Sequence, residues 1–73
     1  MGDEHAVVYE IVADGVLTEG SRSTLRGMGL AASTRPDGSV VLRGEFAGLA
    51  ELNDVIFSLE DLGLGLVSVR QIP

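Results

Sequence analysis

The chain has 73 residues, no cysteine and a formal net charge of −6, and 45% of it is hydrophobic. That hydrophobic share supports a folded core and argues against general disorder, at a size near the lower limit for a self-supporting domain. The missing cysteine excludes a disulfide staple and a thiolate metal site, and the acidic balance opposes unguided binding to nucleic-acid phosphates.

Residues 1–5, Met-Gly-Asp-Glu-His, read as a disordered polar lead-in with no apolar signal core. Ala6 to Ala13 is rich in β-branched and aromatic residues and predicts a strand. Val7, Tyr9, Ile11 and Ala13 share one of its faces, and Val8, Glu10 and Val12 share the other. Glu10 marks that second face as the wetter one. Asp14-Gly15 then punctuates the chain. Ser21 to Met28 fits a short helix, with Ser21 or Ser23 as N-cap and Gly27 or Gly29 as its stop.

Leu30 to Arg35 predicts a second strand, and Arg35-Pro36-Asp37-Gly38 is a turn in which proline presets φ and glycine is free to make φ positive. Ser39 to Phe46 completes the hairpin, with Val40, Leu42 and Phe46 on one face and Val41, Arg43 and Glu45 on the other. The clearest signal follows. Leu49, Leu52, Val55, Ile56, Leu59 and Leu62 recur at intervals of three and four. At about 100° per residue they fall within an arc of roughly 140°. Gly63 stops this dominant helix, at about 48–62, where a left-handed cap costs least. Leu64 to Ile72 is the last strand, with Val67 and Val69 opposed to Leu66, Ser68 and Arg70.

The order strand, short helix, strand, strand, helix, strand predicts one α+β domain over residues 1–73. Its architecture is a ferredoxin-like βαββαβ sandwich with a four-stranded, mostly antiparallel sheet. If the short helix fails, a βββαβ variant with a single covering helix results. Either arrangement leaves one sheet face without a helical cover. The alternation places Val8, Val12, Val41 and Leu66 there, rimmed by Glu10, Arg43, Glu45 and Arg70. An apolar centre with a charged rim is how a self-complementary interface looks, so this face predicts a homodimer through sheet packing or edge pairing. The competing reading is a monomer whose valines are shielded by arginine stems.

The outer face of the dominant helix carries Glu51, Asp54, Glu60 and Asp61, and no Lys or Arg lies between Gly44 and Arg70. No i,i+4 ion pair supports the helix from within, and Glu60 and Asp61 occupy the last turn, where the macrodipole prefers cations. Phe57 projects roughly 150° from the centre of the leucine stripe. Glu51, Asp54, Phe57 and Asp61 therefore make a candidate docking surface for a basic protein partner. The alternatives are a plain solvated face and a phenylalanine tucked under a loop.

No catalytic constellation is visible. His5 is the only histidine, there is no His-Glu-x-x-His and no Gly-x-Ser-x-Gly, and the helical carboxylates lack the burial that raises a catalytic pKa. The expectation is no enzyme, no metal and no cofactor. Arg22, Ser23 and Arg26, opening the short helix, form a faint anion cradle without the spacing of a P-loop. No run approaches the roughly 20 apolar residues of a membrane span, so a soluble cytoplasmic protein is expected.

Three stretches carry a resemblance: Tyr9-Glu10-Ile11, Asp37-Gly38-Ser39-Val40-Val41-Leu42-Arg43-Gly44, and Asp61-Leu62-Gly63-Leu64-Gly65-Leu66-Val67-Ser68-Val69-Arg70-Gln71-Ile72. Together they resemble a recurring pattern in short actinobacterial proteins of uncharacterised function. All five basic residues are arginine and ten residues are glycine, a composition that matches a GC-rich genome. The resemblance implies a fold and brings no catalytic residues. More coarsely, the element order is similar to ACT-like regulatory modules, which dimerise and in some cases bind small effectors. The expected function is a non-catalytic interaction or regulatory module, homodimeric and engaging another protein. The alternative is an ACT-like sensor of a small ligand.

Overall fold

The computed structural model describes residues 7–73, so the lead-in expected at residues 1–5, with His5, lies outside the described residues. The elements are β1 (Val7–Asp14), α1 (Glu19–Gly27), β2 (Ala31–Thr34), β3 (Val40–Phe46), α2 (Leu49–Asp61) and β4 (Gly65–Ile72). They form a four-stranded sheet in the order β2-β3-β1-β4, with every neighbouring pair antiparallel. This is the ferredoxin-like βαββαβ arrangement. Because α1 forms, the variant with a single helix does not apply.

The alternation of β1 and β3 builds the core. Ile11, Ala13, Val40 and Leu42 are fully buried on the face that meets the helices, where Leu25 of α1 and Leu59 of α2 are equally buried. Tyr9 and Phe46 close one end of this layer edge-to-face, with ring centroids 5.7 Å apart. On α2, Leu52, Val55 and Leu59 are buried and Ile56 and Leu62 half-buried. Leu49, expected in the same stripe, is 68% exposed.

α1 starts earlier than expected, and neither Ser21 nor Ser23 is its N-cap. Thr18 is. Its Oγ1 accepts the Ser21 N–H at 3.1 Å, while Ser21 Oγ accepts the Thr18 N–H at 2.9 Å, a reciprocal capping box. Ser21 is thereby drawn into the third helical position and buried.

The two helices end alike. In α1 the Gly29 N–H donates to the Arg26 carbonyl and the Leu30 N–H to the Leu25 carbonyl; in α2 Gly63 donates to Glu60 and Leu64 to Leu59. Gly29 has φ +85° and Gly63 φ +78°. This is the Schellman motif, with the left-handed position filled by the residue that lacks a Cβ. In each case a buried leucine after the glycine joins the same core cluster as a buried leucine of the last turn. The hairpin turn is equally well specified, as the Ser39 N–H and hydroxyl both donate to Asp37 Oδ1, at 2.9 and 2.7 Å. Gly38, with φ +92°, donates to the Arg35 carbonyl.

β4 departs from the expected alternation. Ser68 pairs with Val12, but the register then shifts and Leu66 pairs with the core-facing Ala13. A β-bulge inserts an extra residue into one strand, so the period of two that grouped Leu66 with Ser68 and Arg70 does not carry through to it. Leu66 and Val67 are both exposed on this edge strand. Among the described residues, no helix is long and apolar enough to cross a membrane.

Candidate functional site

The open face of the sheet centres on Glu10. The register sets Glu10 of β1 opposite Arg43 of β3 on one side and opposite Arg70 of β4 on the other. Directly opposite residues share a face, so both guanidinium groups reach the same carboxylate. Arg43 Nε and Nη2 donate to Glu10 Oε2 at 3.0 and 2.8 Å. Arg70 Nε lies 3.3 Å from Oε1, and Arg35 Nη2, arriving from the hairpin turn, lies 3.9 Å from the same oxygen.

Glu10, expected to mark a wet face, is only 4% exposed. The arginine side chains gather over it while remaining largely exposed themselves. Its carboxyl is held below the ordinary value of 4.5, first by the hydrogen bonds from Arg43 and then by the charges of Arg43, Arg70 and Arg35, against the opposing effect of burial. The carboxylate is charged at neutral pH and fixes the guanidinium groups around it. Sequence reasoning places Glu10 with Arg43 and Arg70 on the rim of this face but not at the centre of an ion cluster, and it does not single out Arg35. The signal for Glu10 is the Glu–Arg pairing across β1 and β3, which exists only once the strands are registered. Arg35 gives no signal, because it belongs to a turn and not to the alternation.

Of the residues expected on the dimer face, Val8 and Val12 are half-buried and Val41 is 9% exposed within the single chain. The aliphatic centre of this face is therefore narrower than the alternation implies, and Leu66 has left it through the bulge. Beside Arg43, β2 contributes Ala31 and Ser33 in register with Arg43 and Val41. These small side chains leave a depression of about 290 Å³ whose lining includes Glu10, Arg35 and Arg43.

The helix side presents opposite chemistry. Asp54, Phe57 and Asp61 are all exposed on α2, and Phe57 is 72% exposed, so it is not tucked under a loop. Glu51 is engaged closer to home, where its Oε1 accepts the Ala47 N–H at 3.0 Å. The N-cap of α2 is Gly48, which has no side chain to cap with, so Glu51 supplies a partner for a backbone donor at the helix entrance. A carboxylate there also complements the macrodipole.

Arg22 and Arg26 do share a face of α1 and line a groove of about 470 Å³ together with Gly29, Leu30, Ala31 and Ala32. Ser23 is not part of that lining. Arg22 Nη1 donates to the Ala32 carbonyl at 3.1 Å, which ties α1 to the β2 edge. At the opening of α1 the Ser21 N–H donates to Thr18 Oγ1 and the Arg22 N–H to the Thr18 carbonyl. Among the described residues, no group of three His, Cys, Asp or Glu is placed to hold a metal ion.

A family model described as a domain of unknown function (DUF8691) matches residues 8–70. No curated protein and no solved structure matches the chain.

Proposed function

Since the chain belongs to this DUF8691 family, whose description assigns no chemistry, its role is read from its surfaces, and we propose a non-catalytic protein-interaction module that docks through the outer face of α2. One observation carries this reading: Phe57 stands 72% exposed on a helix with four acidic residues and no basic one. An exposed aromatic ringed by carboxylates supplies an apolar anchor and a charged rim, the division of labour found at protein interfaces. The complementary partner is a basic segment that offers an apolar pocket for the phenylalanine.

Synthetic amphipathic peptides rich in arginine and lysine test this by fluorescence anisotropy. Phe57→Ala is expected to weaken binding about 30-fold, the loss of roughly 2 kcal/mol that marks an anchoring aromatic. Asp54→Arg with Asp61→Arg abolishes the salt-sensitive part. Peptide binding that survives Phe57→Ala unchanged sinks the reading.

The same module self-associates in this proposal, and the charges favour one geometry. Stacking two open sheet faces sets Arg35, Arg43 and Arg70 of one copy against those of the other. Edge pairing through β4, where Leu66 and Val67 are exposed, avoids that repulsion and satisfies the free backbone groups of an edge strand. The lysine-free, glycine-rich composition supports an actinobacterial source, and a cysteine-free chain suits the cytoplasm.

A further inference from the structure

The sheet face opposite the helices holds a surface that docking through α2 leaves untouched. The chain has five arginines and a net charge of −6, yet Arg35, Arg43 and Arg70 all surround the single carboxylate of Glu10. Among the described residues, three positive charges stand against the carboxylates of Glu10 and, beside Arg35, of Asp37, which leaves a surplus of one. Glu10 cannot absorb that surplus. Arg43 occupies Oε2 with two donors, and Arg35 stands 3.9 Å from Oε1, beyond hydrogen-bonding distance. The guanidinium donors that Glu10 leaves unused belong to exposed side chains. A cross-strand ladder built for stability alone needs matched charges, not this excess.

Space for a counter-ion lies beside them. The depression lined by Ala31, Ser33, Val41, Arg35 and Arg43 holds about 290 Å³, at the lower end of the roughly 300–1,000 Å³ of ligand cavities. It has room for a small molecule. We infer that this depression binds a small phosphate dianion, free or as a monoester, with Arg35 and Arg43 donating to its oxygens and Ser33 adding a hydroxyl. A phosphate monoester carries about −1.5 to −2 charge at pH 7, which offsets the arginine surplus. The planar forks of arginine match phosphate oxygens in pairs. Glu10 acts as the positioning residue: buried under the guanidinium groups, it holds Arg43 fixed before the ligand arrives.

The test is titration of the full chain with inorganic phosphate and with phenyl phosphate, against chloride at equal ionic strength, followed by backbone amide chemical shifts. Saturable binding is expected, with the largest shifts in β2, in β3 and at Arg35. Arg35→Ala is expected to weaken it about tenfold, the loss of one charge-assisted contact, with the thermal midpoint in the absence of phosphate lowered only slightly by loss of the exposed 3.9 Å contact to Glu10. The turn bonds of Arg35 are made by its backbone, so the variant keeps its fold. Arg26→Ala, in the groove beside α1, is expected to leave the affinity within about twofold, a change of under 0.5 kcal/mol. Tighter binding of phenyl phosphate than of phosphate identifies an ester ligand, and the reverse identifies the free anion; both support the site. A response that chloride reproduces overturns it. So does saturable binding that survives Arg35→Ala, or that Arg26→Ala removes instead.

Discussion

Arg43 closes on a single oxygen of Glu10 with two donors, Nε at 3.0 Å and Nη2 at 2.8 Å, across the β1–β3 ladder. The pair is short and charge-assisted, and the carboxylate it engages is the most deeply covered acidic group described on the sheet's open face.

This pairing makes stability depend on pH with a definite sign. The Glu10 carboxyl is lowered from 4.5, chiefly by the hydrogen bonds of Arg43. The unfolded chain therefore takes up this proton before the folded one does, so the contribution is complete above 4.5 and is lost as pH falls through the lower folded value. In thermal melts, the difference between the parent and Glu10→Gln is expected to be constant at neutral pH and to shrink steadily below pH 4.5. Asp37, lowered from 3.8 chiefly by the Ser39 hydroxyl, adds a second arm at lower pH that Asp37→Asn removes. A pH-independent difference for Glu10→Gln contradicts the ion cluster.

The helix exits are expected to be costly to alter although both glycines are exposed. Gly29→Ala and Gly63→Ala meet no steric obstacle, since nothing lies within 4 Å of the added Cβ, but each forces a side chain onto a positive φ. That costs roughly 1–2 kcal/mol per residue, out of the roughly 3–5 kcal/mol that a core of this size supplies. Urea denaturation is expected to show either variant losing about a third of the parent stability and the double variant close to unfolding. Gly27→Ala, within α1 and equally unobstructed, is the control and is expected to gain about 0.4–1 kcal/mol.

α2 is charged against its own dipole, with no basic residue in the last turn. Replacing the exposed Asp61 by arginine is expected to raise stability by about 0.3–1 kcal/mol while weakening capture of basic peptides. Urea denaturation and anisotropy on the same sample check the two halves of this statement. A variant that loses stability contradicts the dipole argument, and one that binds unchanged removes Asp61 from the docking face.

The parts of the fold legible in the sequence are those fixed by local chemistry. The spacing of Leu52, Val55 and Leu59 announces α2, and Pro36-Asp37-Gly38 announces the hairpin. What the sequence hides depends on partners distant along the chain. Thr18 does not stand out as the cap of α1 because serine at 21 and 23 offers equally good local candidates; only the reciprocal bonds and the burial of Ser21 decide between them. The bulge in β4 falls at Leu66 to Ser68, where no glycine or proline signals it. Glu10 reads as a solvent marker because its neighbours in sequence are apolar or aromatic, whereas its neighbours in space are arginines from β3, β4 and the turn. For the candidate sites the same division holds. Phe57 and the acids of α2 are readable from one helix, and the docking role expected of Glu51 overlaps with capping. The arginine cluster needs three strands and a turn in place before it exists.

The strand order carries a last consequence. The chain divides into two βαβ halves, β1-α1-β2 and β3-α2-β4, yet each ladder of the sheet, β1–β3, β1–β4 and β2–β3, joins a strand of one half to a strand of the other. Neither half contains a hydrogen-bonded strand pair of its own. The halves are interleaved like the fingers of two clasped hands, so neither has a sheet to fold onto until the other is present. Melting is expected to be all-or-none for that reason, and a half on its own has one place to find its missing strands: another chain.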